Sequence, residues 1–173
     1  DGLAYGLTEH ARADVQNARV VANPGCYPTA ALLALKPLLA AGVLVPGADV
    51  IVDAKSGVSG AGKTPSERTH FSEVYASLAA YGVLHHRHGA EIEQGFGGEV
   101  TFTPHLLPID RGILETIYVR VKPGTTEEQI GDIYAAAYAD ETFVRIVGSA
   151  LPEIKHVAHT NFCDIGWKVN AAG

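Results

Sequence analysis

"GILETIYVRVKPG" occupies residues 112–124, and its alternation sets the kind of fold the chain must adopt. Successive side chains of an extended chain point to opposite faces, so Ile113, Ile117, Val119 and Val121 share one side. Glu115 breaks that apolar face. Tyr118, Arg120 and Lys122 fall on the other side, which is therefore either wet or covered by a partner. Upstream, "EVTFTPHL" (99–106) alternates as well, with Val100, Phe102 and Leu106 together. Downstream, Thr125 and Glu128 have the spacing of a capping box. The segment after it puts Ile130, Ile133, Tyr134, Ala137 and Tyr138 on one stripe, as in a helix lying on a sheet. "FVRIV" (143–147) and "FCDIGWKV" (162–169) read as further strands, the latter with Cys163, Ile165, Trp167 and Val169 pointing one way.

The first half of the chain mixes element types. Residues 1–18 read as a connecting segment with a little helix, and "ARVVAN" (18–23) as a short buried strand. "YPTAALLALKPLLAAG" (27–42) is predicted as a helix, apolar on most sides, kinked by Pro37 and closed by Gly42. "ADVIVDA" (48–54) has the β-branched content of a central strand, "KSGVSGAGK" (55–63) is a glycine loop, and "GAEIEQGF" (89–96) is a short helix. Residues 64–82 give no clear period. Long alternating strands in succession, with helices between them, predict an α+β fold: a mixed, largely antiparallel sheet with helices on one face. The length suits a single domain over residues 1–173.

Composition narrows the function. With 47% apolar and 18% charged residues, the chain has material for a core. A net charge of −6 does not favour nucleic acid or an anionic membrane as partner, and no apolar run approaches the roughly 18 residues of a membrane span. Two cysteines make no disulfide framework and point to a reducing, cytoplasmic compartment. The chain opens at Asp1 and contains no methionine, so it reads as a piece of a longer protein.

Chemistry concentrates at "NPGCYPTAALLAL" (23–35). Cys26 follows a Pro-Gly turn and opens a helix, where unpaired N–H groups and the helix dipole favour thiolate. A thiolate attacks carbonyl or acyl-phosphate carbon; a small buried residue is the alternative reading. Cys163, on an apolar strand face, reads as structural. "YGVLHHRHGAEI" (81–92) supplies His85, His86 and His88 as candidate proton carriers, with Glu91 able to orient a histidine. No Cys, Asp or Glu nearby completes a metal spacing, so no metal is expected. In "SGVSGAG" (56–62), the backbone with Ser56 and Ser59 could cradle an anion, although the glycine spacing is neither the dinucleotide fingerprint nor a P-loop. Arg87 and Arg111 could each hold a carboxylate or phosphate, or form a surface ion pair.

Taken together and in order, "NPGCYPTAALLAL", "SGVSGAGK", "YGVLHHRHGAEI", "FTPHLLPIDRGILETI" and "FCDIGWKV" resemble the N-acetyl-γ-glutamyl-phosphate reductase family over residues 2–169. The resemblance implies a fold like the C-terminal domain of glyceraldehyde-3-phosphate and aspartate-semialdehyde dehydrogenases. It implies NADPH-dependent reductive dephosphorylation of N-acetyl-γ-glutamyl phosphate to N-acetylglutamate semialdehyde, in arginine biosynthesis, through a cysteine thioester. Carried over, Cys26 is the nucleophile and His86 the acid/base. Ser56, Gly57, Ser59 and Gly60 belong to the loop that meets the cofactor; beside these carried-over residues, Arg87, His88 and Arg111 are the candidates for facing the acyl-phosphate substrate. The sheet face implies a homo-oligomer, dimer or tetramer. The chain departs from the family in lacking the Rossmann half with its fingerprint, in stopping after "FCDIGWKV", and in having Ala90 where Pro is frequent. It thus resembles a catalytic and dimerisation domain cut from its enzyme. A sibling reductase of an amino-adipate derivative or aspartyl phosphate, a Cys-His hydrolase or acyltransferase, and a non-catalytic dimerising module remain as alternatives.

Overall fold

A computed structural model of the chain describes residues 2–171 and 173. Its N-terminal part is a small β-α-β unit. Strands β1 (Leu3–Tyr5) and β2 (Val20–Ala22) pair in parallel, joined by helix α1 (Thr8–Asn17), which breaks at Ala11. The segment expected to be a connector is therefore a structured unit. The strand expected to be buried lies on the surface: Val20 is 60% exposed and Val21 44%. Its apolar sequence still made it a strand, but nothing described covers it.

Helix α2 (Cys26–Ala40) is buried on most sides, as its composition requires, with Tyr27, Leu32 and Leu35 fully enclosed. It runs through Pro37 with no residue of non-helical backbone recorded, so the expected kink is not a break. Proline cannot donate to the carbonyl four residues back, which is Leu33 O. The Tyr138 hydroxyl donates to that carbonyl instead, and the Tyr134 hydroxyl donates to the next one, Ala34 O, at 2.8 Å.

The remaining elements are β3 (Ile51–Gly57), α3 (Phe71–Val74), β4 (Ala79–Ala80), α4 (Arg87–Phe96), β5 (Thr101–Leu107), β6 (Ile113–Tyr118), α5 (Glu127–Tyr138), β7 (Val144–Gly148) and β8 (Cys163–Gly166). The central sheet has the order β4-β5-β3-β6. β3 runs parallel to β5, with Ile51 opposite Thr101, and antiparallel to β6, with Ala54 opposite Glu115; β4 is antiparallel to β5. The sheet is mixed, with two of its three pairings antiparallel, and β7 and β8 form a separate parallel pair. The stretch that gave no clear period holds α3 and β4, both too short to show one.

One sheet face carries Val52, Ala54 and Ser56 of β3 and Phe102, Pro104 and Leu106 of β5, all buried. α2 and α4 pack together, α2 also meets β6 and α5, and the core runs through this layer. α2 and α4 approach so closely that a side chain on Gly95 would meet Leu32 Cδ1 at 2.4 Å. The opposite face carries Ile51, Asp53 and Lys55, with Thr101, Thr103 and His105 beside them and Tyr118 on β6. There Asp53 accepts from Lys55 Nζ at 2.5 Å and lies 3.3 Å from His105 Nδ1. Arg120 and Lys122, expected on this face, lie past the end of β6.

One sequence expectation moves. The capping box is Thr126 with Gln129, one residue later than the predicted pair. Glu115 stands by register on the inner face, where the alternation put it, and both of its oxygens are buried without a hydrogen-bond partner. Burial pushes its carboxyl well above the usual range.

Thr126→Ala is expected to cost about 1 kcal/mol in urea unfolding, and Thr125→Ala less than about 0.5 kcal/mol. The Glu115 carboxyl binds its proton more tightly folded than unfolded, so stability falls as pH rises above the ordinary carboxylate range. Between about pH 5 and about pH 8, Glu115→Gln is expected to lose less stability than the parent chain.

Candidate active site

The Pro24-Gly25 turn ends in Gly25 as the N-cap of α2, so Cys26 is the first helical residue. No side chain caps this helix; Thr29 instead turns its backbone N–H (3.0 Å) and hydroxyl (2.9 Å) back to Gly25 O. Gly25 has an ordinary extended backbone, and glycine is required there by crowding: a Cβ would meet His88 Nε2 at 2.5 Å. Its N–H donates to Glu91 Oε1 at 2.8 Å.

Tyr27 turns inward and gathers the site. Its hydroxyl lies 3.0 Å from that of Tyr81, and its ring meets Phe102, His86 and His88 edge-on at 5.2, 5.8 and 5.9 Å. His86 is the N-cap of α4, and its Nδ1 accepts from His88 N at 3.1 Å. That bond fixes the neutral tautomer with the proton on Nε2. The His86 and His88 rings are 4.7 Å apart. His88 is buried, and its Nδ1 has no partner. The turn leading to them contains Leu84, a bulky residue held at φ +60, a strained conformation. His85 lies in that turn, with its N–H bonded to Gly82 O.

Burial and the neighbouring positive charges of His88 and Arg87 hold His86 below its ordinary range. Burial does the same to His88, with Arg87 adding to it and Glu91 opposing. Both are neutral bases at neutral pH. The expected lowering of the Cys26 thiol is overturned. Desolvation pushes it up, and the amides of Tyr27 and Cys26 itself, with Arg87, only partly offset this. Cys26 is exposed, yet even partial desolvation at the helix start outweighs the amides and Arg87. Burial, with Glu115 and Asp164 nearby, pushes Cys163 up to about 12, so it is inert.

The glycine loop follows β3 as a single turn of 3-10 helix, Val58–Ala61. Its first amides are already engaged: Gly57, Val58 and Ser59 donate to Gly112, Ile109 and Asp110 carbonyls. They cannot cradle an anion as the sequence suggested. The Ser59 hydroxyl also goes to Asp110 O, and buried Ser56 donates to Gly57 O and faces the Tyr27 hydroxyl. What the loop offers outward is its exposed, side-chain-poor tip around Gly60 and Gly62. Arg111 is exposed on the 108–112 loop that packs on Gly57, and Arg87 is exposed at the start of α4.

The structure thus brings together Cys26, Ser56, His86 and His88, with Arg87 close enough for its charge to act, and leaves Ser59, Gly60 and Arg111 on the rim. Sequence reasoning missed Tyr27 as the organiser, although it lies inside the quoted motif, and assigned Glu91 to a histidine when it also bonds the cysteine turn. Among the described residues no group of three or more His, Cys, Asp or Glu could hold a metal, and no helix is long and apolar enough to cross a membrane.

A buried-helix thiol beside paired histidines on this α+β layer defines the class. Residues 26–173 match the family "Semialdehyde dehydrogenase, dimerisation domain", and the chain belongs to it. It is similar over nearly its whole length to proteins named N-acetyl-gamma-glutamyl-phosphate reductase. That of Pelotomaculum thermopropionicum is 51% identical over 98% of this chain and 50% of the relative. That of Rhodospirillum rubrum is 52% identical over 94% and 48%, and that of Vibrio parahaemolyticus 47% over 98% and 50%. The chain spans about half the length of these curated relatives. Among solved structures, aspartate semialdehyde dehydrogenase II from Vibrio cholerae superposes with TM-score 0.63 at 19% identity, over 88% of this chain and 53% of that one. The Francisella tularensis aspartate semialdehyde dehydrogenase gives 0.66 at 11%, over 96% and 61%. These two establish the fold.

Iodoacetamide modification of Cys26 is expected to keep rising through about pH 8.5, the ordinary thiol range, with Cys163 silent at neutral pH. A plateau below neutral pH in site-resolved mass spectrometry would contradict the upward shift.

Proposed function

We propose that this chain is the nucleophile-bearing and dimerisation half of an N-acetyl-γ-glutamyl-phosphate reductase, a cytoplasmic enzyme of arginine biosynthesis. One observation carries the reading: Cys26 opens α2 between Gly25, which His88 Nε2 crowds, and Tyr27, whose ring meets both His86 and His88. The names of the similar proteins support the substrate.

Cys26 attacks the acyl carbon of the acyl phosphate while a neutral imidazole takes the thiol proton, with His86 as the acid/base. The S–C bond forms, the C–O bond to phosphate breaks, and inorganic phosphate leaves. A thioester on Cys26 remains, which accepts hydride where a carboxylate would not. NADPH, when bound, supplies that hydride. His86 returns its proton to the developing oxygen, and collapse to N-acetylglutamate semialdehyde restores the thiol. Arg87 and Arg111 would hold the phosphate and carboxylate charges, with His88 lining the same pocket.

The fit to NADPH is that of one wall. A Cβ at Gly60 would meet Ser56 Oγ at 2.6 Å, and one at Gly62 would meet nothing within 4 Å. The loop is thus tight beneath and open above. Ser56, Gly57, Ser59 and Gly60 would form this wall by shape, because their neighbours' amides are already bonded. The outer sheet face, where Tyr118 is 57% and Ile51 39% exposed around the Asp53–Lys55–His105 cluster, would meet a second copy of the chain.

Cys26→Ser in the enzyme that carries this chain is expected to lower kcat by about 1,000-fold or more while leaving NADPH binding intact. Near-normal turnover of that variant would sink the assignment.

A further inference from the structure

The connection between β7 and β8 packs behind the 108–112 loop and has no part in this reaction scheme. Arg145 on β7 fixes its root. The guanidinium donates to the Asp164 carboxylate of β8 at 2.6 and 2.9 Å and to His156 O at 3.2 Å, and it lies 4.4 Å over the Phe162 ring. From this base the 3-10 turn Ile154–His156 meets Gly112. Gly112 has φ +110, and a Cβ there would meet Ile154 Cγ2 at 2.5 Å. His159, at φ +62, adds a contact to the same loop, with Nε2 3.4 Å from Asp110 Oδ2. On its other side the loop is just as closely held. A Cβ on Gly57 would meet Asp110 O at 2.7 Å, and the carbonyls of Gly112, Ile109 and Asp110 accept from the amides of Gly57, Val58 and Ser59 at 2.9, 2.8 and 3.1 Å. Three layers are therefore stacked, the glycine loop, the 108–112 loop and the 154–158 turn, with a glycine at each contact.

We propose that Ile154 is a positioning residue for NADPH: its Cγ2 methyl backs the 108–112 loop at Gly112, and the carbonyls of that loop set the height of the glycine loop that meets the cofactor. This rests on the reading of Ser56, Gly57, Ser59 and Gly60 as one wall of the NADPH site. The glycine loop cannot set its own height. It is a single 3-10 turn with no side-chain cap, and its first three amides are all spent on the 108–112 carbonyls. The 108–112 loop in turn needs a stop behind it, and the atom that stands there is a methyl carried directly on Cβ. β-Branching holds such a methyl in few rotamers, close to its own backbone. Ile154 is only half-buried. A side chain that merely filled this space could be any apolar residue of the same volume; one that acts as a stop needs the branch at Cβ.

The test uses the complete enzyme that carries this chain, with NADPH as the varied substrate. Ile154→Leu keeps the volume and removes the second branch at Cβ. It is expected to raise KM for NADPH by about 5- to 10-fold, with kcat at saturating NADPH within about 3-fold of the parent. Ile154→Val loses volume and keeps the branch, and its KM for NADPH is expected within about 2-fold of the parent. Both changes are mild enough for the enzyme to fold. A residue that only filled space would give the opposite order, because leucine matches its volume better than valine does. A KM raised as much in Ile154→Val as in Ile154→Leu therefore overturns the proposal, and so does an unchanged KM in Ile154→Leu. Ala61→Trp, at the exposed tip of the glycine loop, tests the underlying reading separately. It is expected to raise KM for NADPH by obstructing the wall. If it does not, the loop is no cofactor wall and the proposal falls with that reading. A raised KM in Ala61→Trp beside a normal one in Ile154→Leu removes the role of Ile154 alone.

Discussion

Burying α2 on nearly every side imposes the condition on which the rest depends: each of its backbone groups must find a partner away from water. Pro37 makes the condition acute, because it leaves Leu33 O without its usual donor. Tyr138 supplies that donor and Tyr134 bonds the neighbouring carbonyl, both from α5. These two tyrosines belong to the apolar stripe visible in the sequence. Their rings bury against the core while their hydroxyls complete the helix, which is how a tyrosine serves an interior that phenylalanine would leave with an orphaned acceptor. The position of α5 follows from the proline of another helix.

The front end of α2 shows the same economy. A helix start with no side-chain cap is completed from α4, through the Gly25 amide. The residues on either side of Cys26 meet the histidines: His88 crowds Gly25, and the Tyr27 ring meets both imidazoles. The helix N-terminus contributes amides to the exposed Cys26, but partial desolvation outweighs them.

Much of this was legible in the chain itself. Alternation from residue 99 onward located β5 and β6, and the 3.6-residue stripe located α5. The Pro-Gly-Cys turn gave the start of α2, because these patterns follow from local geometry. What escaped depended on distant residues. Alternation put Glu115 on the apolar face, but that both of its oxygens go without a partner there depends on what packs around it. Residues 20–22 are apolar enough for a core strand, yet they pair only with β1 on the surface. The capping box moved by one residue because Thr125 and Thr126 are adjacent and offer the same chemistry to either start. The glycine loop looked free to bind an anion because sequence does not show that the 109–112 carbonyls come to meet its amides. The role of Glu91 at Gly25 spans 66 residues and has no local signature.

The two glycines at which α2 and α4 touch, Gly25 and Gly95, have a mechanical consequence. Helices that meet through side chains can slide past one another by exchanging rotamers. Here backbone meets side chain at both ends of α4, so a small sliding step would drive His88 or Leu32 into main chain. The pair can tilt or translate as one body, but it cannot shear. Any motion between the two helices must therefore be taken up in the connections outside the pair, such as the strained turn at Leu84, while the contact between Gly25 and His88 is kept.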